Sequence, residues 1–137
     1  MEVLRSVAAV VVSYGVVFVL VLLSDPLLTD LYPGLQVRGQ VRPAFMLRMS
    51  TWAFVVAAIL GGAICVRTAP SRPSRHLFWL FILGEMMGLV TTIMNWNKGW
   101  PHWHSLVWLA VWPVSLFPGG LAKKRQDAKK AAATAAA

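Results

Sequence analysis

Four long apolar segments run along the chain, and each is long enough to cross a lipid bilayer as a helix. They span residues 3–23, 45–66, 77–96 and 104–121. A transmembrane helix needs about 20 apolar residues, because every backbone polar group in lipid must be paired within the protein. One such segment could be a buried helix of a soluble protein, but four in succession with little amphipathic periodicity could not. The pattern predicts an all-α integral membrane protein with four transmembrane helices.

Proline and polar residues separate these segments. The pair Asp25-Pro26 is predicted to end the first helix, and Pro43 to begin the second, where its missing N–H costs nothing. Residues 24–42 form the longest connection, which we predict to lie along the outer membrane surface with at most one short helix. Pro101 is predicted to open the fourth helix.

The last apolar segment is short and contains Pro113 and Pro118, so it is predicted to be a short, proline-broken helix. Residues 123–137 are rich in lysine and alanine and have high helix propensity but no apolar stripe. We expect this tail to fray when it has no partner. The predicted organisation is a transmembrane domain over residues 1–122 and a basic cytoplasmic tail over residues 123–137.

Positive charge is distributed unevenly between the two predicted sides of the membrane. With the N-terminus inside, 9 of the 13 Lys and Arg residues lie on the cytoplasmic side and 4 on the outer side. Because cytoplasmic loops carry the excess of Lys and Arg, we predict that both ends are cytoplasmic, in a bacterial inner membrane. Tryptophans prefer the headgroup level, and four of them are predicted interface anchors: Trp79, Trp96, Trp100 and Trp103.

The composition agrees with lipid as the solvent. Charged residues make up 13% of the 137 residues, against about 25% in soluble domains, and the mean hydropathy is +0.63. The net charge of +8 lies at segment ends and in loops, which is typical of membrane anchoring and argues against a nucleic-acid partner. Cys65 is the single cysteine, which excludes an internal disulfide, and it is predicted to be buried. No catalytic or phosphate-binding motif is present, so we predict no enzymatic activity.

Glu85 is the main candidate for chemistry, because it lies near the middle of the third apolar segment. Ionisable residues inside a bilayer are costly and often functional. Helical spacing places it on one small and polar face, predicted to point into the bundle, with Phe81, Gly88, Thr92 and Asn95. Glu85 could contact a proton, a cation or a ligand. Alternatively it is structural, either neutral or paired with Arg48 on the second helix.

Two histidines, His102 and His104, flank Trp103 at the start of the fourth segment. They could bind a metal ion or the magnesium of a chlorin pigment, or simply anchor the helix at the membrane surface. No carboxylate or thiolate lies near them in the sequence, and His76 is expected on the opposite side of the membrane. We predict no cofactor, with a bound lipid or pigment as the open alternative.

Small residues indicate close helix packing, either within the chain or with another subunit. The second helix carries Gly61 and Gly62, and the third carries Gly84 and Gly88 in small-xxx-small spacing. An aromatic stripe on the fourth helix, formed by Trp108 and Trp112, is predicted to face lipid or a partner, with a surface that faces a pigment or quinone as the alternative.

Several helix-end motifs resemble those of a group of small four-helix bacterial membrane proteins common in acidobacteria. The motifs are ILGGAICVR at 59–67, Trp100-Pro-His-Trp103, Pro113, and Pro118-Gly-Gly-Leu-Ala-Lys123. The resemblance covers about residues 50–125 and implies four helices, with no assigned activity and no site residues to carry over.

Two functional hypotheses follow. The first is a non-catalytic accessory subunit that packs against other integral subunits of a larger membrane complex, with a respiratory or photosynthetic complex as the first candidate. The second is a small homo-oligomeric transporter or ligand carrier with Glu85 in its pathway.

Overall fold

The computed structural model describes residues 2–33, 44–69, 72–99 and 101–135. Four α-helices make up these ranges: α1 at Glu2–Leu31, α2 at Ala44–Thr68, α3 at Pro73–Asn95 and α4 at His102–Ala135. Each is long and apolar enough to cross a membrane. The predicted all-helical class, with four helices of sufficient length and apolarity to span a membrane, is therefore confirmed for the described residues.

The first helix is longer than predicted. It continues through the Asp25-Pro26 pair to Leu31, so the prediction that this pair ends the helix is wrong. A proline removes one intrahelical hydrogen bond, and in an apolar helix nearby hydroxyl groups can take up carbonyl oxygens. Pro26 leaves the Leu22 carbonyl without its intrahelical donor, and beside it the Ser24 hydroxyl donates to the Val21 carbonyl at 2.7 Å. Residues 24–31 of the predicted interfacial loop are thus helical, and residues 34–42 lie outside the described residues.

The fourth helix is also continuous. It contains both Pro113 and Pro118 and runs to Ala135, so the predicted short, broken helix is wrong, and the alanine-rich tail is helical as far as Ala135. The high helix propensity of that tail favours continuation of the helix. Its 34 residues correspond to about 51 Å, against about 30 Å for a bilayer core.

The second helix lies at the centre of the bundle. It packs against the other three helices, most extensively against α4, while α3 contacts α4 and α1. Fully buried side chains at these contacts include Ala58, Cys65, Leu80 and Leu116. Cys65 is a free, buried thiol in this core, as predicted.

Glycines bring the backbones of α2 and α4 into direct contact. A Cβ atom at Gly62 would collide with the carbonyl oxygen of Leu116, and one at Gly119 would collide with the carbonyl oxygen of Ile59. Gly61 faces α1 in the same way, where a Cβ would meet the side chain of Val17. The small-residue positions of α2 are therefore used inside the chain, without a second subunit.

We expect Gly62→Ala to lower the free energy of unfolding by about 1–3 kcal/mol, because neither backbone can yield without separating α2 from α4. Gly15→Ala is the matched control, since no atom lies within 4 Å of a Cβ at that position, and should change it by less than about 1 kcal/mol. Thermal unfolding in detergent, followed by circular dichroism, measures both. Equal melting temperatures for the two variants would contradict the backbone contact.

The end of the bundle lies well before the end of α4. Gly120 packs against Leu77 at the start of α3 and Val66 near the end of α2, so these three positions lie at one level. Residues 121–135 extend beyond that level by about 22 Å, at about 1.5 Å per residue. The side chains described in this C-terminal stem are exposed.

Candidate ligand-binding cavity

A cavity of about 330 Å³ lies among the four helices, in the half of the bundle near the α3–α4 connection. The α3 residues that line it run from Gly84 to Asn95, which is about 16 Å of helix. Its full lining is Tyr14, Val17, Phe18 and Val21 of α1, Phe54 of α2, Gly84, Glu85, Met87, Gly88, Thr91, Thr92 and Asn95 of α3, and His104, Ser105, Trp108, Leu109 and Trp112 of α4.

Aromatic rings form one wall of the cavity. Phe54 stacks on Trp108 with ring centroids 4.4 Å apart and nearly parallel planes, and it lies 5.8 Å from Trp112. On the α1 side, Tyr14 and Phe18 stack at 6.5 Å. Three helices thus supply large, rigid apolar surfaces to one space.

The cavity also reaches the outer surface of the bundle. Phe18 on α1 and Met87 on α3 both line it, and their side chains are 51% and 45% exposed. The opening is therefore lateral, between α1 and α3, on the apolar outer surface of the bundle.

Trp108 and Trp112 of α4 face inward, so the favoured interpretation that this stripe faces lipid or a partner is wrong. Trp112 is buried and its Nε1 donates to the carbonyl oxygen of Phe81 on α3 at 3.2 Å. Its indole fits because Gly84 has no side chain there: a Cβ at that position would collide with the ring. The Trp108 Nε1 donates to the Thr51 hydroxyl at 3.3 Å.

Glu85 is the distinctive polar group of the cavity. Its Oε2 atom is buried and has no hydrogen-bond partner among the described residues. Of the alternatives left open for Glu85, the structure does not show the pairing with Arg48, because Arg48 lies in the second turn of α2 with an exposed side chain and Glu85 Oε2 has no partner among the described residues. The carboxyl group therefore faces a space that no protein donor fills.

The polar face predicted on α3 points into the bundle. Four of its five residues line the cavity, namely Glu85, Gly88, Thr92 and Asn95. The fifth, Phe81, packs instead against Phe117 in the core, with ring centroids 6.0 Å apart.

The two histidines at the start of α4 lie in different surroundings. His104 is buried beside the cavity, with its Nε2 3.4 Å from the Ser50 hydroxyl and its ring 5.3 Å from Trp108. His102 stacks on Trp96 at 4.0 Å, and its Nε2 lies 2.9 Å from the Trp96 carbonyl oxygen. His102 thus closes the α3–α4 turn. Residues that the structure describes include no group of three or more metal-ligating side chains, while pigment ligation by a single histidine stays a prediction.

Three of the predicted interface anchors, Trp79, Trp96 and Trp103, have largely exposed side chains. Trp100 lies outside the described residues. The packing glycines of α3, Gly84 and Gly88, face Trp112 and Leu109 of α4, respectively.

Comparison with known proteins returns no matching family model, curated protein or solved structure. The functional argument therefore rests on the cavity and its chemistry.

Proposed function

We propose that the protein is a small membrane carrier, or ligand-binding protein, that holds a small molecule in the cavity against Glu85. The observation that carries this proposal is the buried Oε2 atom without a partner. Burying a polar group without a hydrogen bond costs several kcal/mol, at about 2–7 kcal/mol for neutral groups and more for a charge. A ligand that hydrogen-bonds to Glu85 would remove this cost.

The proposed location is a bacterial inner membrane with both chain ends in the cytoplasm. Arg67 lies in the last turn of α2 and Arg75 in the first turn of α3. The Gly120 contacts place these two turns at the end of the bundle from which the basic stem projects. Concentration of Lys and Arg at this end supports its cytoplasmic placement.

The accessory-subunit role is our second proposal. It is favoured by α3, which carries large exposed apolar side chains along its length, including Phe78, Met86, Val90 and Ile93. Other integral subunits, for instance of a respiratory or photosynthetic complex, could cover this surface, but lipid would cover it equally well. We rank this role second because Gly61, Gly62, Gly84 and Gly88 are already used in contacts within the chain.

Native mass spectrometry after gentle solubilisation distinguishes the two proposals. A carrier should be recovered alone or as a small homo-oligomer with a bound small molecule. An accessory subunit should be recovered in one large stoichiometric assembly, which would overturn our first proposal.

Filling the cavity should remove the bound small molecule. Thr92 lines the cavity, so Thr92→Phe places a ring inside it. Ile93→Phe is the matched control, because Ile93 is 73% exposed and lies outside the cavity. We expect the mass of the bound small molecule to disappear with Thr92→Phe and to persist with Ile93→Phe. Persistence with both variants would show that the molecule binds elsewhere, and a phospholipid mass would identify lipid as the occupant.

A further inference from the structure

We infer that the cavity selects an organic monocation whose charged nitrogen carries N–H groups, such as a protonated amine or a guanidinium, on a small apolar body. This inference rests on the proposed function and specifies its ligand. Charge, hydrogen bonding and shape each support it.

The charged side chain that lines the cavity is acidic. Among the described residues that line it, Glu85 is the one carboxylate, and Lys and Arg are absent. The other titratable side chains at the lining are Tyr14 and His104. An anionic ligand would meet a carboxyl group with no neighbouring Lys or Arg to offset it, whereas a cation would form the pair that Glu85 lacks.

The hydrogen bonds of the lining side chains also favour a ligand with N–H groups. Three lining side chains direct an N–H group to a partner within the protein: Asn95 donates one of its two amide N–H groups to the Thr91 carbonyl at 2.9 Å, and the two indoles donate to Thr51 and Phe81. The lining hydroxyl groups can donate or accept. The buried atom that still needs a partner is an acceptor, Glu85 Oε2. The ligand must therefore supply the donor.

The aromatic wall suits the rest of such a ligand. The faces of Trp108 and Phe54 provide apolar contact, and aromatic faces also attract cations. A volume of about 330 Å³ is near the lower end of small-molecule pockets, which span about 300–1,000 Å³. A single ring or short alkyl chain is the expected body, rather than a two-tailed lipid.

Three probes of similar size test the inference on the whole protein in lipid nanodiscs. Benzylguanidinium carries charge and N–H groups, benzylurea carries N–H groups without charge, and benzyltrimethylammonium carries charge without N–H. We expect wild-type protein to bind benzylguanidinium at least about tenfold more tightly than either of the others, since charge-assisted hydrogen bonds are the strongest available. Glu85→Gln should abolish this preference. Asp127→Asn, which makes the same chemical change on the exposed stem, should preserve it.

The outcomes separate this inference from the proposed function. Equal binding of benzylguanidinium and benzylurea by wild-type protein, blocked by Thr92→Phe, would leave a ligand-binding cavity but overturn its cation selectivity. Binding of none of the three probes would overturn the inference, while the small molecule detected by native mass spectrometry would still decide the proposed function. A preference that survives Glu85→Gln would place the cation elsewhere.

Discussion

Saturable flux of benzylguanidinium into proteoliposomes should fall at least about tenfold when Glu85 is replaced by glutamine. Glutamine keeps the length and shape of the side chain but removes the negative charge and presents an amide N–H to the ligand. Among the described residues, the cavity lining offers no other carboxylate to take its place. Because a guanidinium stays charged at accessible pH, passive leakage through the lipid is small and the carrier pathway dominates the measurement.

Two further variants give this experiment its controls. Glu85→Asp retains the charge on a side chain shorter by one methylene, and should retain part of the flux. Asp127→Asn removes a carboxylate from the exposed stem and should leave the flux unchanged. Full flux with Glu85→Gln would overturn the role of Glu85 in holding the ligand. Absence of saturable flux in wild-type protein would overturn the carrier proposal and favour the accessory-subunit role, in which the carboxyl group is dispensable.

Trp112→Ala should lower the free energy of unfolding by about 3–5 kcal/mol, the largest stability effect that we expect from a single side chain. Trp112 is 3% exposed, fills the gap left by Gly84 on α3 and donates a hydrogen bond across to the Phe81 carbonyl. Its removal both empties part of the core and leaves that carbonyl oxygen without its cross-helix donor.

The matched control is Trp79→Ala on α3, because Trp79 is 54% exposed on the outer surface. We expect Trp79→Ala to lower the free energy of unfolding much less than Trp112→Ala does in the same thermal unfolding experiment. Trp112→Phe separates the packing contribution from that of the hydrogen bond, because it keeps a ring but removes the N–H. We expect loss of the hydrogen bond to lower the free energy of unfolding by about 1 kcal/mol. Equal destabilisation by Trp79→Ala and Trp112→Ala would mean that α4 does not hold α3 through this indole.

The existence of the four helices could be predicted from the sequence, but several of their ends could not. An apolar run of about 20 residues has few alternatives in lipid. Proline is a weaker signal for a helix end in lipid than in water. Lipid offers no hydrogen-bond partners, so the backbone N–H and C=O groups around a proline are best paired when the chain stays helical. In the proposed membrane location, this accounts for the continuation of α1 through Pro26 and of α4 through Pro113 and Pro118.

The candidate site could be predicted in part. The α3 face that carries Glu85, Thr92 and Asn95 follows from helical spacing alone, since three and four residues make about one turn. The inward rotation of Trp108 and Trp112 depends on a glycine in another helix, Gly84, that makes room for an indole. No pattern within α4 carries that information. Tyr14, a polar aromatic residue within a long apolar run, was the one sequence signal for the α1 wall.

The lateral opening between Phe18 and Met87 has a consequence for how affinity is defined. A ligand that enters there comes from the bilayer, so the concentration that governs occupancy is its concentration in lipid rather than in water. An apparent Kd titrated from the aqueous phase then combines the intrinsic affinity with the bilayer–water partition coefficient of each compound. To rank the intrinsic affinities of the three probes, each apparent Kd must be corrected for the partition coefficient of that probe. Hydrophobic amines will occupy the cavity at aqueous concentrations far below its intrinsic Kd.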